Sequence, residues 1–422
     1  MNHHESLEVH VDLDGETLFV GNAQFHRSRG ALTSTTFQYD MTFMAHPLAY
    51  PVDPALQLVS GTQYTSGLPG AFADSAPDRW GRNLIKKRER AVARTESRRP
   101  QDLDDVDFLA SVSDITRQGA LRFRPDPSSP FVDAGHVVPI LVQLPELLHA
   151  ADVAARDDND YEAVKTLLDA GTGSLGGARP KAAVLGDDGR QLIAKFPHPE
   201  DRWDVMAWEA TALDLATAAG ATTATHRLIK IAGRHLLLLD RFDRGSTPVG
   251  SPDTRRVGYM STMTLLEQHD GDTGDYVDIA ERLEEVSTRP RADLLQLFQR
   301  VAVNVGLNNT DDHLRNHGLL RGRTGWTLSP AFDVNPNPDQ GVRQTLIAGA
   351  DTAEDEGDGL LALARVCRLD AAQARATLTH IADALADWRA VASKNGVPAS
   401  ELTQFEQSFD TGINILRSTA AR

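Results

Sequence analysis

Residues 171–176, Gly171-Thr172-Gly173-Ser174-Leu175-Gly176, spell G-x-G-x-x-G with Gly177 next, and the chain that follows restricts the fold. Glycines let a backbone turn tightly and bring its N–H groups close to phosphate oxygens. Dinucleotide-binding folds and kinases share this motif. A dinucleotide-binding turn leads straight into a helix. Here Lys181-Ala182-Ala183-Val184-Leu185, Gly186-Asp187-Asp188-Gly189 and Gln191-Leu192-Ile193-Ala194-Lys195-Phe196 read as strand, tight turn, strand. No Gly-Lys-Ser/Thr triplet closes the loop, so it is not a Walker A loop. After Pro197 and Pro199, residues 203–219 are predicted to form an amphipathic helix with Glu209 near its middle. A glutamate there is able to pair with Lys195 and hold its ammonium over phosphates. Taken singly, Lys195 is an ordinary strand-edge lysine and Glu209 a solvated helix position; their order along the chain favours the paired reading.

Farther on, Asn309-Thr310-Asp311-Asp312-His313-Leu314-Arg315-Asn316, and then Phe332-Asp333, supply an acid, an amide five residues later and a second acid. Phosphoryl transfer needs such a trio. One carboxylate orients the attacking hydroxyl and accepts its proton, while an amide oxygen and another carboxylate hold Mg²⁺ against the phosphates. The Asp311-to-Asn316 spacing equals that of the protein-kinase loop H-R-D-x-x-x-x-N. Such residues also make turns and caps, so the weight lies in the order of glycine loop, lysine, glutamate and trio. His313 is read as orienting Asp311. His313 and His317 stand four apart, but on a loop and without an evident third ligand, so a zinc reading is set aside. Ser174 lacks the G-x-S-x-G context of a hydrolase.

These segments resemble those of the HipA-type serine/threonine kinases, toxins of HipBA toxin–antitoxin systems. Residues 67–82, containing Leu68-Pro69, Phe72, Asp74 and Pro77-Asp78-Arg79-Trp80-Gly81-Arg82, resemble the family's L-P-x-x-F-x-D-x-x-P-D-x-W-G-R segment. Ser174 to Lys181 resembles its S-x-x-G-x-x-x-K loop, Asp240-Arg241-Phe242-Asp243-Arg244 its E-R-F-D-R hinge, and Asn309 to Asn316 its N-x-D-x-H-x-x-N loop. Asp240 stands where relatives often carry Glu. The resemblance implies an α+β, bilobal protein-kinase-like fold with an added N-terminal β-rich subdomain and an all-helical C-terminal lobe. The expected parts are 1–125, 126–240 and 241–422. It implies ATP and Mg²⁺ as cofactors, with Asp311 as base and Asn316 and Asp333 on the metal. Gly173, Gly176, Gly177, Ala178, Arg179 and Lys181 would cover the phosphates, with Lys195, Glu209, His313, Asn316, Asp240 and Phe242 completing the nucleotide site. Ser174 matches a serine that the family autophosphorylates; about two added negative charges there would repel ATP. Implied partners are a small helix-turn-helix HipB-type antitoxin, DNA through that antitoxin, and a protein substrate, an aminoacyl-tRNA synthetase of the glutamyl type. A small-molecule kinase of the same fold and a catalytically silent scaffold in an antitoxin–DNA complex are the alternatives.

The 422 residues suffice for two or more domains with full cores. No apolar run reaches membrane-spanning length, no signal-peptide pattern opens the chain, and Cys367 is the sole cysteine, which together point to the cytoplasm. Cys367 is expected to be a buried structural thiol. A net charge of −16 argues against the whole surface binding nucleic acid. Lys86-Lys87-Arg88, Arg90, Arg94, Arg98 and Arg99 nevertheless form a basic helix face. It reads either as a solvated flank or as a contact for DNA or an acidic or tRNA-bearing partner. Residues 5–65 read as antiparallel strands, 77–96, 102–112 and 137–169 as helical, and 227–239 as a hairpin. Helices are predicted over 275–286, 291–307, 357–367, 369–392 and 398–418, with a small hairpin at 318–328.

Overall fold

A computed structural model describes residues 3–133, 138–157, 160–171, 179–245 and 255–422. The chain divides into two units. The first holds Met1–Glu200, Ile231–Arg234 and Leu238–Met260; the second holds Asp201–Lys230, His235–Leu237 and Ser261–Arg422.

In the first unit, Leu7, Val9 and Val11 alternate along β1 (Ser6–Leu13) and are fully buried on one face. β1 pairs antiparallel with β2 (Glu16–Ser28). Asp14 and Gly15 between them both have positive φ, 53° and 90°, as a two-residue hairpin turn requires. β3 (Ala31–Tyr39), β4 (Thr62–Ser66) and β5 (Leu121–Arg124) complete a sheet of order β4-β3-β2-β1-β5. Helices α1 (Met41–Met44), α2 (Gly70–Asp74), α3 (Arg79–Thr95) and α4 (Asp105–Ala110) follow in the same unit. The Phe72 ring on α2 lies 6.1 Å from that of Phe37 and 5.2 Å from that of Phe123, which fixes α2 to the sheet. Each such buried aromatic contributes about 1.5–3 kcal/mol. Asp78 caps α3 by accepting from the Gly81 N–H at 2.7 Å. Lys87 on α3 donates to the Ala154 carbonyl of α5 (Leu144–Arg156) at 2.6 Å, and α6 (Tyr161–Asp169) packs beside both helices.

The expected hairpin follows as β6 (Lys181–Leu185) and β7 (Gln191–Lys195). With β8 (His226–Ile231) and β9 (Arg234–Asp240) it forms a sheet of order β6-β7-β9-β8. The division between units runs through the β8–β9 hairpin.

The second unit is mostly helical. α7 (Val205–Ala218) carries Glu209 as expected but is not amphipathic: Val205 to Leu213 are all buried, Glu209 with them. Its alanines and threonines are small enough to be enclosed on every side, so Glu209 is not a solvated position. A three-stranded sheet, β10 (Tyr259–Ser261), β12 (Gly318–Arg321) and β13 (Trp326–Leu328), and the parallel pair β11 (Gly274–Asp275) and β14 (Thr345–Leu346) accompany helices α8 (Thr262–Leu265), α9 (Tyr276–Val286), α10 (Pro290–Gly306) and α11 (Glu356–Val366). Where one helix is expected over 369–392 there are two, α12 (Ala371–Ala386) and α13 (Trp388–Lys394), parted at Asp387. The break puts Trp388 against Phe409 of α14 (Ala399–Ala420), ring centroids 4.8 Å apart. α10 and α14 approach closely: a Cβ on Gly412 would sit 2.3 Å from the Val305 carbonyl oxygen.

Candidate active site

Helix α10 is buried along most of its length, and the loop that carries Asp311 and Asn316 leaves its C-terminal end. Asn308 turns the chain with φ 50° and donates from its amide to the carbonyls of Asn337 and Asp339 at 2.7 and 2.9 Å. Arg343 donates to the Asn309 carbonyl at 2.9 Å, and Thr345 to that of Asp312 at 2.8 Å. The loop is thus tied to segment 337–345 on one side. On the other, the Thr262 hydroxyl donates to the Leu314 carbonyl at 2.7 Å, and its N–H to that of His317 at 2.9 Å. A reacting group on this loop is held by a rigid support.

Of the two adjacent acids, Asp311 is exposed and Asp312 is buried. Asp312 Oδ2 accepts from the Asn304 amide at 2.8 Å, lies 2.7 Å from His317 Nε2 and receives the Tyr276 hydroxyl. Burial would raise the Asp312 pKa, but the His317 charge and the bonds from His317 and Tyr276 outweigh it and bring it below the usual carboxylate value. Burial, then the Asp312 charge, hold the Tyr276 phenol protonated as a donor. His317 thus grips the buried acid Asp312. Nδ1 of His313, expected to orient Asp311, is buried without a hydrogen-bond partner among the described residues. Asn304, an amide amid Val301, Ala302, Val303 and Val305, was the sequence signal for this buried carboxylate.

Asn316 closes the loop in a 3₁₀ turn and is buried. It lines a cavity of about 10 Å³ with Asn304, Asp312, His317, Phe332 and Val334. The two neighbours of Asp333 thus flank the same small space as Asn316. Asp333 itself has φ 57°, a left-handed conformation uncommon outside glycine. The Asn335 amide donates to its carboxylate at 3.2 Å and its carbonyl at 3.3 Å, supporting that backbone. Arg300 reaches the same cavity; burial pulls its pKa down to about 10. A broader depression of about 440 Å³ adjoins the loop, lined in part by His313, Arg315, Gln344, Asp270 and Asp272. Among the described residues no group of three or more His, Cys, Asp or Glu gathers as a metal cluster. The expected set, one amide and one carboxylate, is not of that kind.

The remaining expected residues lie chiefly in the first unit. Lys181 and Lys195 are register partners on β6 and β7 and are both buried. Partners directly opposite share a face, where two like charges repel. Lys181 Nζ lies 2.8 Å from Asp78 Oδ2, which offsets that repulsion and joins β6 to the cap of α3. Arg179 is described just before β6, whereas Gly173, Ser174, Gly176, Gly177 and Ala178 lie outside the described residues. At the expected hinge, Asp240 forms an ion pair with Arg190 at 2.5 Å, and the Phe242 ring stacks on Tyr259 with centroids 6.2 Å apart. The neighbouring charges turn inward. Asp243 accepts from Arg241 at 2.6 Å, Arg244 at 2.8 Å and the Gly119 N–H at 2.8 Å. Burial alone would raise the Asp243 pKa, but the two guanidiniums hold it far below the ordinary value. Glu209 belongs to the second unit.

A family model described as the HipA-like C-terminal domain matches residues 173–389. A protein of Sinorhizobium fredii (strain NBRC 101917 / NGR234) named "Putative kinase Y4mE" is 26% identical over 298 residues, 64% of this chain and 68% of its own. The fold is similar to that of HipA in a complex of HipA, HipB and operator DNA from the Shewanella oneidensis MR-1 toxin–antitoxin system. That match has a TM-score of 0.67 and 14% identity, and covers 98% of this chain and 97% of the other. The family match spans more than half of the chain and takes in the glycine loop from Gly173, Lys195, and the trio Asp311, Asn316 and Asp333, so the chain belongs to the HipA-like family.

Proposed function

We propose that this protein is an ATP- and Mg²⁺-dependent serine/threonine protein kinase and the toxin of a toxin–antitoxin pair. The observation that carries the reading is the small cavity shared by Asn316 and the two neighbours of Asp333, beside a buried Asp312 that fixes the loop bearing exposed Asp311. An amide oxygen and a carboxylate are hard donors that suit Mg²⁺, so Asn316 and Asp333 fit that ion. When bound, MgATP supplies the phosphoryl group and screens its charge. Asp311, exposed on the loop, orients a substrate hydroxyl and takes its proton. Lys195 holds phosphate oxygens, with Glu209 as its carboxylate partner, and Gly173 to Lys181 cover them. Residues 238–242 take the adenine. The depression of about 440 Å³ beside the loop gives room for a protein segment.

The Shewanella neighbour was solved with HipB and operator DNA. By analogy we assign this chain a HipB-type antitoxin and, through it, DNA. An aminoacyl-tRNA synthetase of the glutamyl type as substrate, autophosphorylation at Ser174, cytoplasmic location and the parts 1–125, 126–240 and 241–422 complete the proposal. Incubation with radiolabelled ATP and a cell lysate tests it. A labelled protein band that disappears with Asp311→Asn and Asp333→Asn is expected. Label in a small metabolite would identify a small-molecule kinase instead, no label would identify a silent scaffold, and full activity in either variant would defeat the residue assignment.

A further inference from the structure

Away from the trio, the first unit has a recess of about 360 Å³ between α3 and the C-terminal end of α5. Trp80, Asn83, Lys86, Lys87, Arg90 and His198 supply its polar lining, and no described lining residue is acidic. The sole acid of α3, Glu89, is buried and engaged by Arg98 through both carboxylate oxygens, so it does not neutralise this face. Lys86 and Arg90 are exposed and stand four apart, on one side of the helix. Trp80 is only 7% exposed, and its indole N–H is buried with no acceptor among the described residues. A buried donor left unpaired costs about 1–3 kcal/mol, so such a group commonly marks a missing acceptor.

We propose that this recess is a binding site for a small phosphate-bearing anion, separate from the kinase site. The lining chemistry is one-sided. Ammonium, guanidinium, indole and carboxamide groups all donate, and phosphate oxygens accept without a proton of their own. The recess is concave and of the size that takes a small ligand rather than a flat stripe along which a polymer lies. The chain's net charge of −16 repels a long polyanion while leaving a local cationic hollow able to take a compact one. Lys87 is already bonded to the Ala154 carbonyl and serves to fix the wall, leaving Lys86 and Arg90 as the main charge donors.

The test is calorimetric titration of the full chain with inorganic pyrophosphate, at low salt and with EDTA present so that a magnesium-dependent site takes none. Wild type is expected to bind at one site. Lys86→Gln/Arg90→Gln should weaken binding roughly tenfold or more, because charge-assisted bonds to phosphate are the strong ones. Trp80→Phe should weaken it several-fold. Arg291→Gln/Arg375→Gln, which removes the same charge from exposed positions elsewhere, should leave it unchanged. The proposal is overturned if wild type does not bind, if either recess variant binds like wild type, or if the control variant loses as much. It is also overturned, in favour of a nucleic-acid surface, if a DNA duplex binds in a Lys86- and Arg90-dependent way and pyrophosphate does not.

Discussion

His317 Nε2 stands 2.7 Å from Asp312 Oδ2, and the carboxylate it meets is buried behind Asp311 on the same loop. Two adjacent aspartates therefore have opposite surroundings and separable consequences. Asp312→Asn removes a buried charge with three partners and should cost about 2–4 kcal/mol in urea unfolding. The folded pKa of Asp312 lies below its unfolded value. The stability it contributes is thus fully present above the unfolded pKa of about 3.9 and disappears as pH falls through the lower folded value. Wild type should lose its advantage over the variant through that acid window, and a pH-independent gap between the two would contradict the assignment.

Asp333 separates charge from backbone in the same way. Asparagine tolerates left-handed φ about as well as aspartate, so Asp333→Asn should fold with a stability change below about 1 kcal/mol while phosphoryl transfer falls by about two orders of magnitude or more. Asp333→Ala should lose activity and in addition about 1 kcal/mol from strain. Thermal melts and single-turnover assays on both variants distinguish these losses.

The Lys181–Asp78 pair has side chains 2% and 6% exposed. Lys181→Met leaves a buried carboxylate poorly compensated next to the cap of α3, at a cost of about 3–5 kcal/mol. Adding Asp78→Asn should recover part of that loss. A coupling energy near zero in the double-mutant cycle would show that the contact carries no stability.

Burial raises the Cys367 thiol pKa to about 12. At pH 8 the native thiol should therefore resist alkylation, since the thiolate is the reactive form. Labelling should track unfolding, and mass spectrometry across a urea series gives the readout. Fast labelling of the native protein would place the thiol at the surface.

Elements whose signals are local were legible in the sequence. The 181–195 hairpin has its turn glycines, and the β8–β9 hairpin has Ala232-Gly233, both with positive φ. The break at Asp387 was not, because no glycine or proline marks it; it answers to the packing of Trp388 against Phe409. Burial of α7 on all sides was missed because alanine and threonine fit either environment. The burial of Asp312 next to exposed Asp311 was not legible in the loop, because it is supplied by Tyr276 on α9 and Asn304 on α10, the first distant in sequence. Lys181 was placed in the phosphate loop by its resemblance to the S-x-x-G-x-x-x-K segment; its ion pair with Asp78 was not legible, because that carboxylate lies in α3's cap, far back in the chain.

Gly412 has a consequence for biosynthesis. It lets the last helix press against the very turn of α10 from which Asp311 and Asp312 depart. A nascent polypeptide still lacking residues 399–420 would present that turn without the α14 backbone against it, while the ties from α12 and from segment 337–345 remain. Packing around the Asp311–Asp312 loop is therefore complete only once residues 399–420 have been made.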